Sequence, residues 1–218
     1  MSSTLADSLQ ISVPISFQEL LDTLEGTCYL VSRDGLLLAY GSRHWNRFAL
    51  ENGAPELTQP GMVLGRPLSA FIAGEEERQA HQAAADSLVR GIQEEVSYLY
   101  QCDAPDRRRR MRMWIRPVLR EGAVVALLYQ SVVLEDTPRP PVGILYRHAE
   151  DTSEWPLLGA CSYCKNVRFP PGSREGEWLS PEQYYARGGT DRVRLSHSIC
   201  PTCYESIVAP VLARLRPS

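Results

Sequence analysis

The apolar and polar positions alternate with two different periods along the first 135 residues. Thr27 to Ser32 is an apolar, β-leaning run, Arg33-Asp34-Gly35 is a turn, and Leu36 to Tyr40 is a second strand, so the two form a hairpin. Before it, Ser16 caps a short helix over Phe17 to Leu24, with Glu19 completing a capping box. After it, Trp45, Phe48 and Ala49 recur at helical spacing until Asn52-Gly53. Gly65-Arg66-Pro67 opens a short helical turn through Phe71 and Ile72. Glu75 to Arg90 reads as a longer helix, acidic in its first turn where the helix dipole favours negative charge, and Gly91 stops it. Three strands follow, at about Glu94 to Cys102, Met111 to Leu119 and Ala123 to Leu134, the last two joined at Glu121-Gly122. This order predicts an α+β fold, a five-stranded antiparallel sheet with flanking helices over one face.

The pattern changes at Thr137-Pro138-Arg139-Pro140-Pro141, which reads as an extended linker because prolines cannot continue a helix or a central strand. The expected organisation is a flexible arm over 1–15, a folded domain over 16–136, a linker over 137–154 and a small module over 155–218. In that module, Ser180-Pro181-Glu182-Gln183 is a helix start, and the helix would carry Tyr184 and Tyr185 to Gly188-Gly189. A last helix is expected over Tyr204 to Leu215, interrupted near Pro210. Its apolar stripe of Ile207, Val208, Val211, Leu212 and Leu215 would be a docking or dimer surface.

Composition adds exclusions. Of 218 residues, 44% are apolar and 22% charged, with a net charge of −3, so no global field draws the chain to nucleic acid or an anionic membrane. No apolar run reaches the roughly 18 to 20 residues of a membrane span, and Met1 to Pro14 lacks a signal-peptide core. A cytoplasmic protein is expected, and there paired cysteines read as metal ligands rather than disulfides.

Two such pairs exist, Cys161-Ser-Tyr-Cys164 and Cys200-Pro-Thr-Cys203, separated by 35 residues. Two C-x-x-C turns can close a tetrahedron of sulfurs around one ion, and zinc suits it, being tetrahedral, thiolate-binding and without redox chemistry. Spacing longer than that of common fingers calls for a structured insert, with Trp178 packed against the knuckles. His197, three residues before Cys200, is either a partner hydrogen-bonded beside the site or an alternative ligand, and the intact pairs favour the four-cysteine set. A metal-free redox dithiol is disfavoured because neither pair clearly opens a helix after a strand. A catalytic zinc is disfavoured because four sulfurs close the shell and the chain has no His-x-Glu. Cys28 and Cys102 read as small buried residues.

Arg107 to Arg110 with Arg112 invite a phosphate-binding reading. The run begins in a turn and passes into alternation, with Met111, Met113 and Ile115 on one face and Arg110, Arg112, Trp114 and Arg116 on the other. Ion pairs with nearby acids on a sheet surface are the plainer expectation. Arg108, Arg110 and Arg112 remain a candidate anion or partner surface, and nucleic acid is disfavoured.

The hairpin Cys28 to Tyr40 with its Asp34-Gly35, the aromatic helix carrying Trp45, Asn46 and Phe48, and the step Val63-Leu64-Gly65-Arg66-Pro67-Leu68 together resemble a PAS domain. Strings such as Asn52-Gly53-Ala54-Pro55-Glu56-Leu57 and Gln101-Cys102-Asp103-Ala104-Pro105 are similar to those of a group of bacterial PAS proteins of poorly defined role. The tail Cys161-Ser162-Tyr163-Cys164-Lys165, Trp178 and Ser196-His197-Ser198-Ile199-Cys200-Pro201-Thr202-Cys203 resembles a tail of bacterial signalling proteins. PAS domains are sensory and dimerising modules, some holding haem, flavin or a metabolite. The resemblance makes His81 the one sensible haem ligand, although its polar neighbours favour a solvated helix residue. Pro67 to Ile72 lacks the cysteine of covalent flavin photochemistry.

No nucleophile-base pair, phosphate loop or paired buried carboxylates can be assembled, so no enzyme is expected. The reading is a homodimeric cytoplasmic signalling or scaffold protein, its PAS domain sensing a ligand or dimerising and its zinc module docking a protein partner. The alternatives are a thiol-based redox or zinc sensor and a nucleic-acid-binding zinc module.

Overall fold

The structure, a computed structural model, describes residues 15–145 and 153–215. Most of the expected arm, part of the linker and Tyr146 lie outside the described residues. The first region runs α1 (Phe17–Thr23), β1 (Thr27–Ser32), β2 (Leu37–Tyr40), α2 (Ser42–Glu51), three 3₁₀ turns, α3 (Glu75–Val89), β3 (Val96–Gln101), β4 (Arg107–Arg120) and β5 (Ala123–Pro138). Its five strands form one antiparallel sheet in the order β2-β1-β5-β4-β3, so the α+β expectation holds. The Ser16 capping box is present, its hydroxyl accepting from the Glu19 N–H and the Glu19 carboxylate accepting from the Ser16 N–H. Tyr40, Leu37, Leu88, Ile115, Leu127 and Tyr129 are buried where α3 and the sheet meet.

β4 and β5 are longer than their apolar pattern predicts. The ladder continues because Arg110 lies opposite Glu135 and Arg109 opposite Asp136, with ion pairs Arg110–Glu135 at 2.9 Å and Arg107–Asp136 at 2.7 Å. Facing opposite charges stabilise a strand pair that has no apolar side to bury. Alternation places Arg109 inward with Met111 and Met113, and only 4% of it is exposed. Its guanidinium reaches Glu51 at 3.2 Å and lies over the Phe48 ring.

The second region holds β6 (Leu157–Cys161), β7 (Val167–Phe169), β8 (Glu177–Leu179), α4 (Pro181–Ala186), β9 (Arg194–Ser198), α5 (Pro201–Cys203), a π-helical turn over Tyr204–Val208, and α6 (Ala209–Leu215). Its sheet order is β8-β7-β6-β9, with β6 and β9 parallel. Parallel neighbours require a crossover connection, and β7, β8 and α4 form it. The long spacing between the cysteine pairs follows from this topology.

The C-terminal stripe differs from its expectation as a docking surface. Ile207, Val208 and Leu212 pack on the cysteine cluster, Val211 packs on the sheet region's core, and α6 lies against α3. Apolar side chains at helical spacing here cover the chain's own core. Arg139 and Asp103, both nearly buried, form an ion pair at 3.1 Å, and Glu182 on α4 receives Arg108 at 2.7 Å, which ties the two regions together.

Candidate metal centre and internal cavity

β6 and β9 run side by side in the same direction, with Cys161 paired to Ser198, so the turns that follow them emerge at the same end of the sheet. The first turn is closed by Lys165 N–H donating to the Cys161 carbonyl at 3.0 Å and Cys161 N–H donating to the Asn166 carbonyl at 2.7 Å. Lys165 holds a left-handed φ of 61°, and its ammonium donates to the Ser162 carbonyl at 2.8 Å. The second turn begins a helix, with Cys200 as N-cap and Pro201 in the first turn.

The two turns bring the sulfurs of Cys161, Cys164, Cys200 and Cys203 within 4.8 Å of one another, and all six cysteines of the chain are free thiols. The Cys164 and Cys200 sulfurs are 3.7 Å apart. A tetrahedral ion with metal–sulfur bonds of about 2.3 Å needs sulfur–sulfur edges of about 3.8 Å, so the cluster fits such an ion. The Cys200 N–H donates to the Cys161 sulfur at 3.4 Å, a contact suited to a thiolate. Among thiols alone the charge is shared unevenly. Hydrogen bonds from Cys164 and Cys203 hold Cys161 far below the ordinary thiol range, and the same contacts push Cys164 up to about 12 and Cys203 higher still. A divalent cation removes that conflict, because a coordinating thiol is deprotonated outright.

The other candidates fall elsewhere. The four sulfurs assemble without His197, which is exposed and sets its Cβ against the backbone of Gly74 before α3. Partial desolvation of its ring, together with Lys165, lowers the His197 pKa. Arg108 and Arg110 face Glu182 and Glu135, while Arg112 lies over Trp114 with its guanidinium 5.5 Å from the ring. The Cys200 pair does open a helix after a strand, contrary to the sequence reading. The strand was not recognised because Arg194 to Ser198 carries only one large apolar residue, Leu195.

Above the first sheet lies a cavity of about 370 Å³. Tyr29, Trp45, Phe48, Phe71 and Met113 supply much of its wall, and Thr27, Asn52, Ser131, Glu77 and His81 bring polar atoms to it. His81 corrects the expectation of a solvated residue. Its Nε2 lies 3.2 Å from the Tyr98 hydroxyl, its ring stacks on Tyr129, and its buried Nδ1 finds no hydrogen-bond partner among the described residues. Burial lowers its pKa to about 4. The signal was present in the spacing, since buried Ala84 and Leu88 follow His81 at three and seven residues on α3. Glu77, missed as well, lies on the same stripe, and burial raises its pKa. The Tyr100 hydroxyl meets the Ser131 hydroxyl at 2.5 Å beside it.

No protein-family model matches the chain, and no curated protein matches it. Solved structures similar to it include the PAS domain of Bordetella pertussis BvgS, 13% identical over 53% of this chain and 82% of that one, with a TM-score of 0.42. A sensory box sensor histidine kinase from Vibrio cholerae is 14% identical over 53% of this chain and 86% of that one, with a TM-score of 0.36. A variant of the Drosophila melanogaster Cycle PAS-B domain with bound glycerol is 14% identical over 50% of this chain and 99% of that one, with a TM-score of 0.35. Among the described residues, no helix is long and apolar enough to cross a membrane.

Proposed function

We propose that this chain is a cytoplasmic signalling or scaffold protein without catalytic activity. Its PAS-like region senses a small ligand or dimerises, and Cys161, Cys164, Cys200 and Cys203 hold one structural zinc that shapes a module for docking a protein partner. The observation that carries the reading is the meeting of four free thiols within 4.8 Å of one another, with the Cys164–Cys200 separation of 3.7 Å close to the edge of a thiolate-bound tetrahedral ion. The cavity above the sheet supports ligand sensing. The exposed Phe17 and Leu20 on α1 support self-association through that helix. Haem is left out of the proposal because His81 Nε2 already faces Tyr98. Nucleic acid is left out because Arg107, Arg108, Arg109 and Arg110 face carboxylates of the chain itself.

Metal analysis tests the reading. The wild type carries one zinc per chain and Cys200→Ala loses it, whereas full occupancy in the mutant would remove the four-cysteine assignment. His197→Ala keeps stoichiometric zinc with affinity reduced about 10- to 100-fold if the imidazole acts on the ligands from outside the shell. A second reading, a thiol-based redox sensor, draws support from Cys200 at a helix N-terminus and from the partial exposure of Cys164. Zinc release at low peroxide doses, reversed by reductant, would favour it.

A further inference from the structure

The cavity and the cysteine cluster share a wall. Among the lining residues, Tyr163 alone comes from the second region, and it sits inside the turn between Cys161 and Cys164. Its ring meets Tyr98 edge-on with centroids 5.6 Å apart, and its carbonyl accepts the Gln101 N–H at 2.5 Å, which joins the turn to the end of β3. Glu77, on the same wall, has Ser162 and Lys165 of that turn as neighbours. Tyr98 and Tyr100 pack against both the sheet core and the sulfur cluster. One residue before Glu77, the Glu76 carboxylate accepts from the Ile199 N–H at 2.9 Å and the Ser198 hydroxyl at 3.2 Å, so α3 is fastened to the second cysteine turn too. The backbone geometry that aims Cys161 and Cys164 at a common ion therefore also sets the position of Tyr163.

The lining defines the chemistry of an occupant. About 370 Å³ lies near the lower end of the roughly 300–1,000 Å³ of small-molecule pockets. The wall is rich in aromatic and thioether side chains, and among the described residues it carries no Lys, Arg or Asp. Glu77 and His81 are its ionisable side chains besides tyrosine, and Glu77 already has Ser162 and Lys165 as neighbours. An anionic ligand would meet no cation of the wall and a cationic one only a carboxylate that already has Lys165 beside it, whereas a neutral aromatic one gains stacking area and hydroxyl or imidazole partners.

We propose that the cavity takes a neutral aromatic small molecule and that the Cys161–Cys164 turn, through Tyr163, links its occupancy to metal occupancy of the four-cysteine centre. This rests on the metal reading above and extends it. Metal binding holds the turn, the turn holds the wall, and the wall completes the ligand site. Linkage makes the effect reciprocal, so the ligand tightens the metal by the factor by which the metal tightens the ligand.

The test uses the full chain, zinc-loaded or stripped by chelator, with N-phenyl-1-naphthylamine as a neutral aromatic probe that fluoresces in apolar surroundings. Zinc uptake is measured first, so a chain that takes up no zinc fails the metal reading and is told apart from failure of the linkage. The expected result is probe binding at least about 5-fold tighter with zinc, and zinc affinity, read by competition with a chromophoric chelator, raised by the same factor at saturating probe. Tyr163→Ala keeps stoichiometric zinc and loses the coupling, and Tyr163→Phe retains it. Ala54→Phe narrows the cavity and abolishes the probe signal while leaving zinc in place. If that variant does not fold, the reciprocal wild-type measurements still decide. Probe and zinc that bind independently, or undiminished coupling in Tyr163→Ala, would overturn the linkage. No probe binding to the zinc-loaded chain would overturn the ligand class.

Discussion

The two sheets of this protein are stabilised by different means. In the first, side chains as large as Tyr40, Tyr129, Leu88 and Ile115 are fully buried between α3 and five strands. In the second, a smaller apolar cluster of Leu158, Val167, Tyr184 and Val193 lies beside a cluster of thiols. Domains of that size seldom bury enough apolar area to offset chain entropy, and they use metal ions or disulfides instead. On the proposed metal reading, the first region folds by burying area and the second by satisfying a ligand set. Their joint, α3 with Tyr98 and Tyr163, is where a change in one is felt in the other.

Metal removal should separate them most strongly, because structural zinc contributes about 10–16 kcal/mol in comparable modules. After chelation, limited proteolysis should cut within residues 155–215 while the first region stays resistant. A second region that stays protected without metal would break the comparison. Leu88→Ala acts on the other side, at the base of α3. It should cost about 2–5 kcal/mol in urea denaturation, by the same amount with and without zinc. A cost that vanishes on metal removal would mean that the first core depends on the second.

The pH dependence sharpens the view of the joint. The pKa of His81 falls from 6.5 to about 4 because burial disfavours its charged form. The folded chain thus binds fewer protons than the unfolded one, and stability falls as pH drops from about 6.5 toward 4, by up to about 3 kcal/mol. His81→Phe should remove that slope for the first region, followed by its own unfolding transition so that acid loss of metal is not counted. An unchanged slope would place the responsible protonation elsewhere.

The smallest effect is expected at the surface. Arg110→Glu with Arg112→Glu should change stability by only about 1 kcal/mol, since exposed pairs contribute little, even though the first substitution sets a carboxylate opposite Glu135 across the ladder. A pull-down from native extract compares the partners of this double mutant with those of the wild type. Identical partner lists would reject the arginine surface as a docking site.

The elements of the first region were legible because each is marked locally. The Ser16 capping box, the Asp34-Gly35 turn, the Gly91 stop and the alternation of Met111, Met113 and Ile115 each act within a few residues. The extension of β4 and β5 was not, because it rests on facing charges whose register is set only when the strands pair. His81 was misread because its immediate neighbours are polar, although the residues on its own face of the helix are apolar. The C-terminal stripe was correctly seen as apolar, but its partner, α3, lies more than a hundred residues earlier in the chain.

The amino-acid sequence by itself determined the α+β order of the first region and the residues of the four-cysteine set, since propensity, caps and C-x-x-C turns are local properties. Only the tertiary structure decided that β6 and β9 are parallel neighbours, which brings two distant turns to one end of a sheet. It alone placed Tyr163 in the wall of a cavity formed by another region, buried Arg109 and left His81 half-buried against groups far away in sequence. Those facts depend on which surfaces cover one another. Covering is a property of the whole packed chain, because apolar area can leave water only where a second surface meets it.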